Sequence, residues 1–75
     1  MELEQFIRKF EDAIEGVKSG SLSPNKDYKN EIPQWDSLSV LAIIAMIDSE
    51  FGVVLNQAEL DTLQTIEAVF NFIQN

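Results

Sequence analysis

Residues 36–52 read DSLSVLAIIAMIDSEFG, and the spacing inside this stretch decides the fold. Val40, Ile43, Ile44, Ile47 and Phe51 recur at steps of three and four, which places them on one face of an α-helix. Asp36 stands where an N-cap carboxylate accepts from the amide of Leu38 or Ser39. Pro33 disfavours helix just upstream, and Gly52 supplies a left-handed stop. Trp35 and Val40 take the N′ and N4 positions of a hydrophobic staple. Leu41, Ala42, Ala45, Asp48 and Ser49 fall outward, so even the outer face is mildly apolar. The apolar run over residues 40–47 is eight residues long, far short of the roughly 20 a membrane span needs. It reads as core with a partner-facing strip.

Working outward, Leu3, Phe6, Ile7, Phe10, Ile14 and Val17 predict an amphipathic helix over residues 2–19. Glu2 and Glu4 lie in its first turn and Lys18 in its last, each the sign the helix dipole prefers, and Gly20 ends it. Gly16 then lies inside the helix at a cost of about 1 kcal/mol against alanine. Residues 20–35, GSLSPNKDYKNEIPQW, follow neither period and read as a loop. Such a length requires pinning by Leu22, Tyr28, Ile32 and Trp35, or a function. Downstream, Asn56 and Glu59 have capping-box spacing for a short helix ending near Leu60 or Asp61. Thr65 caps a final helix with Ile66, Val69, Phe70 and Ile73 as its stripe and Phe72 beside it. A strand competes only at residues 53–55. The expected architecture is one all-α domain, a small four-helix bundle of three main helices and one short one, with a long loop between the first two.

Composition narrows the chemistry. The chain has 75 residues, 45% apolar and 24% charged, an ordinary globular balance. It contains no cysteine and no histidine, so a disulfide framework, a thiolate zinc site and the commonest general base are all missing. Nothing pairs a base with a serine for hydrolysis. Glu11 with Glu15, and Asp48 with Glu50, read as solvated surface acids rather than glycosidase pairs, and no carboxylates have calcium-loop spacing. No catalytic residue and no metal is expected.

Five basic and thirteen acidic residues give a net charge of −8, which opposes binding to nucleic acid or an anionic membrane. All five bases lie within the first 29 residues, while seven acids and no base follow from Asn30 onward. That half should attract basic partners. The N-terminal MELEQFIRKF lacks the basic and apolar regions of a signal peptide. The expectation is a cytoplasmic protein, with self-repulsion favouring a monomer.

Asp36-Ser37-Leu38 is the distinctive motif. A serine at the first helical position faces solvent beside unpaired amides and the positive end of the dipole, where an attached phosphate is stabilised. Taken alone, the tripeptide is better explained by capping.

In its whole frame, however, the chain resembles the acyl carrier proteins, the phosphopantetheine-binding family that also includes peptidyl and aminoacyl carriers. The resemblance runs from the amphipathic first helix and long loop through Asp36-Ser37-Leu38 to Glu50-Phe51-Gly52, with Phe51 fourteen residues after Ser37. It continues through the short helix, Leu63, Thr65 and Ile66 to Phe72-Ile73. It implies that Ser37 receives 4′-phosphopantetheine from coenzyme A through a separate magnesium-dependent phosphopantetheinyl transferase, which recognises Asp36 and Leu38. The arm's thiol then holds an acyl or aminoacyl group as a thioester, and the carrier itself catalyses nothing. Further implied partners are an acyl-loading ligase or synthase with a basic docking patch, met by Leu41, Ala45, Asp48 and Glu50.

Two departures bear on the pathway. Where fatty-acid-type carriers have acids along the second helix, this chain has Ser39, Leu41, Ala42, Ala45 and Ser49, with only Asp48 and Glu50 remaining. That favours a dedicated pathway, polyketide or other, over bulk fatty acid biosynthesis. Peptidyl carriers have glycines ahead of the serine, where this chain has Gln34-Trp35-Asp36. The alternative reading is an unmodified acidic helical module that binds a partner helix in a groove.

Overall fold

A computed structural model describes residues 2–33 and 35–74; Gln34 of the Gln34-Trp35-Asp36 stretch lies outside the described residues. The elements are α1 (Leu3–Ala13), α2 (Tyr28–Glu31), α3 (Ser37–Phe51), α4 (Gln57–Asp61) and α5 (Ile66–Gln74). Among the described residues there is no strand, and an isolated antiparallel bridge pairs Asp27 with Thr65. The expected small helical bundle of three main helices and a short fourth is therefore present, with one further short helix inside the long loop.

The helix ends follow the capping chemistry. Asp36 accepts from the Ser39 amide at 3.0 Å, and Gly52 closes α3 in the left-handed region at φ +69°. Asn56 and Glu59 exchange reciprocal bonds at the start of α4, and the Thr65 hydroxyl accepts from the Ala68 amide at 3.0 Å in α5. Residues 53–55 form no strand: Leu55 is buried and Val54 is exposed.

The first helix departs from expectation. It stops at Ala13, with Ile14 extended, rather than continuing to Ser19. Gly16 adopts φ +89° in a turn closed by the Val17 amide donating to the Ile14 carbonyl at 3.3 Å. Glycine's access to positive φ makes that turn cheap, whereas keeping it helical costs about 1 kcal/mol. Ile14 still reaches the core, and Val17 packs against it.

Glu11 is a second correction. Predicted as a solvated acid, it is 1% exposed, and its two carboxylate oxygens accept from the amides of Gly20 at 2.9 Å and Leu22 at 3.0 Å. A buried carboxylate is tolerable because charge-assisted bonds replace its hydration. The result fastens the loop to α1.

The core is threaded by aromatic rings. Phe6 lies 5.3 Å from Phe70 and 5.5 Å from Phe51; Phe10 lies 5.0 Å from Tyr28, which in turn lies 5.2 Å from Trp35. Most meet edge to face, the arrangement the ring quadrupole favours. Leu22, Tyr28 and Ile32 are buried and Trp35 is half-buried, so the loop is pinned by its apolar members as its length required. Trp35 spends its ring on Tyr28. α2 was not anticipated, although Asp27 caps it by accepting from the Lys29 amide at 3.0 Å, and an aspartate before Tyr-Lys-Asn-Glu was the available signal.

Candidate attachment site at the head of α3

α3 lies across the bundle with Val40, Ile43 and Ile47 buried and Ile44 and Phe51 packed at the core margin. This inward face fixes the rotation of the helix, so Ser37 and Leu38 at its start face solvent while Ser39 and Val40 are buried. Asp36, Ser37 and Leu38 are all exposed. Leu38 is 74% exposed, which no packing role explains.

The first turn is partly satisfied from within. The Val40 amide donates to the Asp36 carbonyl at 3.1 Å. The Ser39 amide and hydroxyl both donate to Asp36 Oδ1, at 3.0 and 3.2 Å, which satisfies the hydroxyl of a buried serine. The Ser37 and Leu38 amides donate to no described residue, and the Ser37 hydroxyl is neither buried nor bonded to one. These residues therefore suit a phosphoester on Ser37 Oγ: the oxygen is accessible, and two uncommitted amides lie at the positive end of a fifteen-residue helix. Asp36 contributes a neighbouring negative charge, but the Ser39 donors hold its Oδ1 in the cap.

Along the outer face, Leu41 is 61% exposed, and Ala45, Asp48 and Glu50 are also exposed. The structure thus brings the four expected partner-facing residues onto the surface of one helix. Glu50 is not a free charge: its carboxylate pairs with Lys9 Nζ at 2.6 Å, so α1 shares the distal end of this face. Among the described residues, no group of acids is arranged to hold a metal ion, and no helix is long and apolar enough to cross a membrane.

Open grooves flank α3 on its α1 side. One of about 690 Å³ lies between the turn after α1 and the first turns of α3, and another of about 420 Å³ lies farther along the same seam. Their walls include Ala13, Gly16 and Val17, which the sequence marked only as members of a longer first helix.

Comparison with known proteins identifies the arrangement. A family model described as "Phosphopantetheine attachment site" matches residues 13–73. An acyl carrier protein of Thermobifida fusca (strain YX) is 33% identical over 63 residues, covering 84% of this chain and 78% of that protein. No solved structure matches significantly.

Proposed function

This chain belongs to the phosphopantetheine-attachment family, and we propose that it is an acyl carrier whose attachment residue is Ser37. The observation that carries the assignment is the exposed Ser37 hydroxyl at the first position of α3, beside two amides with no partner among the described residues. The covalent 4′-phosphopantetheine arm supplies a terminal thiol that holds cargo as a thioester, chemistry that a chain without cysteine cannot provide itself.

The chain's own residues have distinct tasks. Ser37 offers its oxygen for the phosphodiester. The Ser37 and Leu38 amides and the helix dipole stabilise the phosphate charge. Asp36 keeps the first turn wound through Ser39, and Leu38 offers the phosphopantetheinyl transferase an apolar handle that no intramolecular contact hides.

Partner choice is assigned to the outer face of α3. Leu41 and Ala45 provide apolar contact, and Asp48 meets a basic docking patch on a loading ligase or synthase; Glu50 adds to it in exchange for its ion pair with Lys9. No acid lies between Asp36 and Asp48, so electrostatic attraction is concentrated at the distal end and the middle of the helix is read by shape. This supports service in a dedicated pathway rather than bulk fatty acid synthesis, because charge mainly sets encounter rate and partner selection. We assign the carrier to the cytoplasm as a monomer that catalyses no reaction of its own.

The test is intact mass after incubating apo protein with coenzyme A and a broad-specificity phosphopantetheinyl transferase. One phosphopantetheine increment is expected on the wild type and none on Ser37→Ala. An increment that survives the substitution moves the attachment point elsewhere. No increment on the wild type overturns the carrier reading and restores that of an unmodified interaction module.

A further inference from the structure

The two grooves beside α3 share Ala13 and Ala42 in their walls, so they meet in one seam between α1 and α3. The helices run antiparallel along it: Phe6 packs against Phe51 and Lys9 pairs with Glu50 at one end, and Ala13 comes opposite Ala42 farther up. Partly buried Ala13, Ala42 and Met46 line the seam, with exposed Ala45 beside them. Acids stand on both rims, Asp12 and Glu15 from α1 and Asp36 and Glu50 from the α3 side. The base in these walls, Lys9, is already paired with Glu50, whereas Asp12 and Glu15 are exposed and pair with no base among the described residues. We propose that this seam is a docking groove for a basic amphipathic helix of a partner polypeptide, filled whether or not Ser37 carries an arm.

Charge selects the occupant. Four carboxylates against one paired lysine attract cations to the rims, and they repel a nucleic acid, an anionic membrane or a second copy of this chain with its net charge of −8. Shape selects the occupant's conformation. Among the described residues there is no strand to which an extended segment could add, and neither groove has an aromatic ring in its walls to hold a polyproline turn, which leaves helix-in-groove recognition. A third helix laid along two antiparallel ones sets its ridge between them, with apolar anchors every three or four residues. The alanines admit a close approach, and the flexible Met46 adapts to the anchor it meets. Fourteen steps from Asp36 to Glu50 advance about 21 Å along the helix axis, the length of four turns of an incoming helix. The seam is also distinct from the outer face of α3. Successive helical residues stand about 100° apart, so Ala42 and Met46 lie to one side of Leu41 and Asp48, and recognition in the seam adds Asp12 and Glu15 of the α1 side.

The test is run on Ser37→Ala, which receives no phosphopantetheine under the assignment above, so failure here and failure of the carrier reading are separate results. The probe is an acetylated, amidated peptide of about fifteen residues, long enough to span the seam as a helix, with leucine at every third or fourth position and lysine and arginine on both flanks. A companion peptide carries glutamate on the flanks. Titration followed by amide chemical shifts should show saturable binding of the basic peptide, with shifts at residues 12–16, 42, 46 and 50, and no binding of the acidic one. Asp12→Lys should weaken binding by about tenfold and by more than Glu67→Lys, which makes the same change of charge on α5. Ala45→Trp, at an exposed position, should weaken it by filling the groove, with circular dichroism verifying that each variant is folded. No saturable binding, equal binding of the two peptides, shifts confined to residues 38, 41 and 48, or equal effects of Asp12→Lys and Glu67→Lys would overturn the seam as the docking groove.

Discussion

The phenolic oxygen of Tyr28 donates to the backbone carbonyl of Leu63 at 2.9 Å, joining the loop helix α2 to the connection between α4 and α5. The ring is fully buried, between Phe10 and Trp35. Around it, Lys29 Nζ donates to the Asp61 carbonyl and the Glu67 amide to the Pro24 carbonyl. One tyrosine therefore anchors the segment that delivers the chain to the head of α3.

Burial, and next the nearby carboxylates of Asp27 and Asp61, push the Tyr28 phenol well above its ordinary value of about 10. The folded state retains the proton after the unfolded chain has lost it. The resulting stability is complete below pH ~10 and declines as pH rises past that point. Tyr28 is the only tyrosine, so tyrosinate absorbance should stay absent in alkaline solution until circular dichroism reports unfolding. Tyr28→Phe should cost about 1 kcal/mol in urea at neutral pH and flatten the alkaline loss. Tyrosinate appearing at ordinary pH in a folded chain would contradict this placement.

Glu11→Ala removes the acceptor for both Gly20 and Leu22 amides, the latter buried. A loss of about 2 kcal/mol or more is expected from urea unfolding, since a charged acceptor is withdrawn from donors that water cannot easily reach. Glu11→Gln keeps one carbonyl oxygen and should lose less. Equal stability of Glu11→Ala and wild type would show that the carboxylate does not hold the loop.

Gly52 closes α3 at φ +69°, and a side chain there would meet nothing within 4 Å. Gly52→Ala should therefore cost only backbone strain, roughly 1 kcal/mol, with Gly52→Asn milder. Thermal unfolding of the three chains measures the order, and an alanine variant as stable as wild type would reject the left-handed cap.

Leu41 is exposed on the outer face of α3 and should contribute contact rather than stability. Leu41→Glu is expected to leave circular dichroism and unfolding unchanged while slowing transfer from the pathway partner by about tenfold, the scale of one interface side chain. Unaltered transfer kinetics would remove Leu41 from the docking surface.

Residues 36–52 show how much of the site was legible in advance. The cap at Asp36, the first-turn position of Ser37 and the stop at Gly52 depend on neighbours within four residues, and a local motif states them completely. The same holds for Asn56 with Glu59 and for Thr65 with Ala68. Glu11 gave no such signal. Its partners lie nine and eleven positions away, and an acid between apolar positions reads as surface until the loop is folded back over it.

By itself, the sequence determined that the chain is a helical bundle, where α3 begins and ends, and that a solvent-facing serine stands at its positive end, because periodicity and capping act over a few residues. Only tertiary structure decided that α1 ends at Ala13, that Glu11 is buried, that α2 forms within the loop, and that small residues on α1 and α3 leave a seam open beside Ser37. Each of those outcomes depends on surfaces brought together from distant parts of the chain, where packing and buried hydrogen bonds outweigh the modest preferences of a local segment.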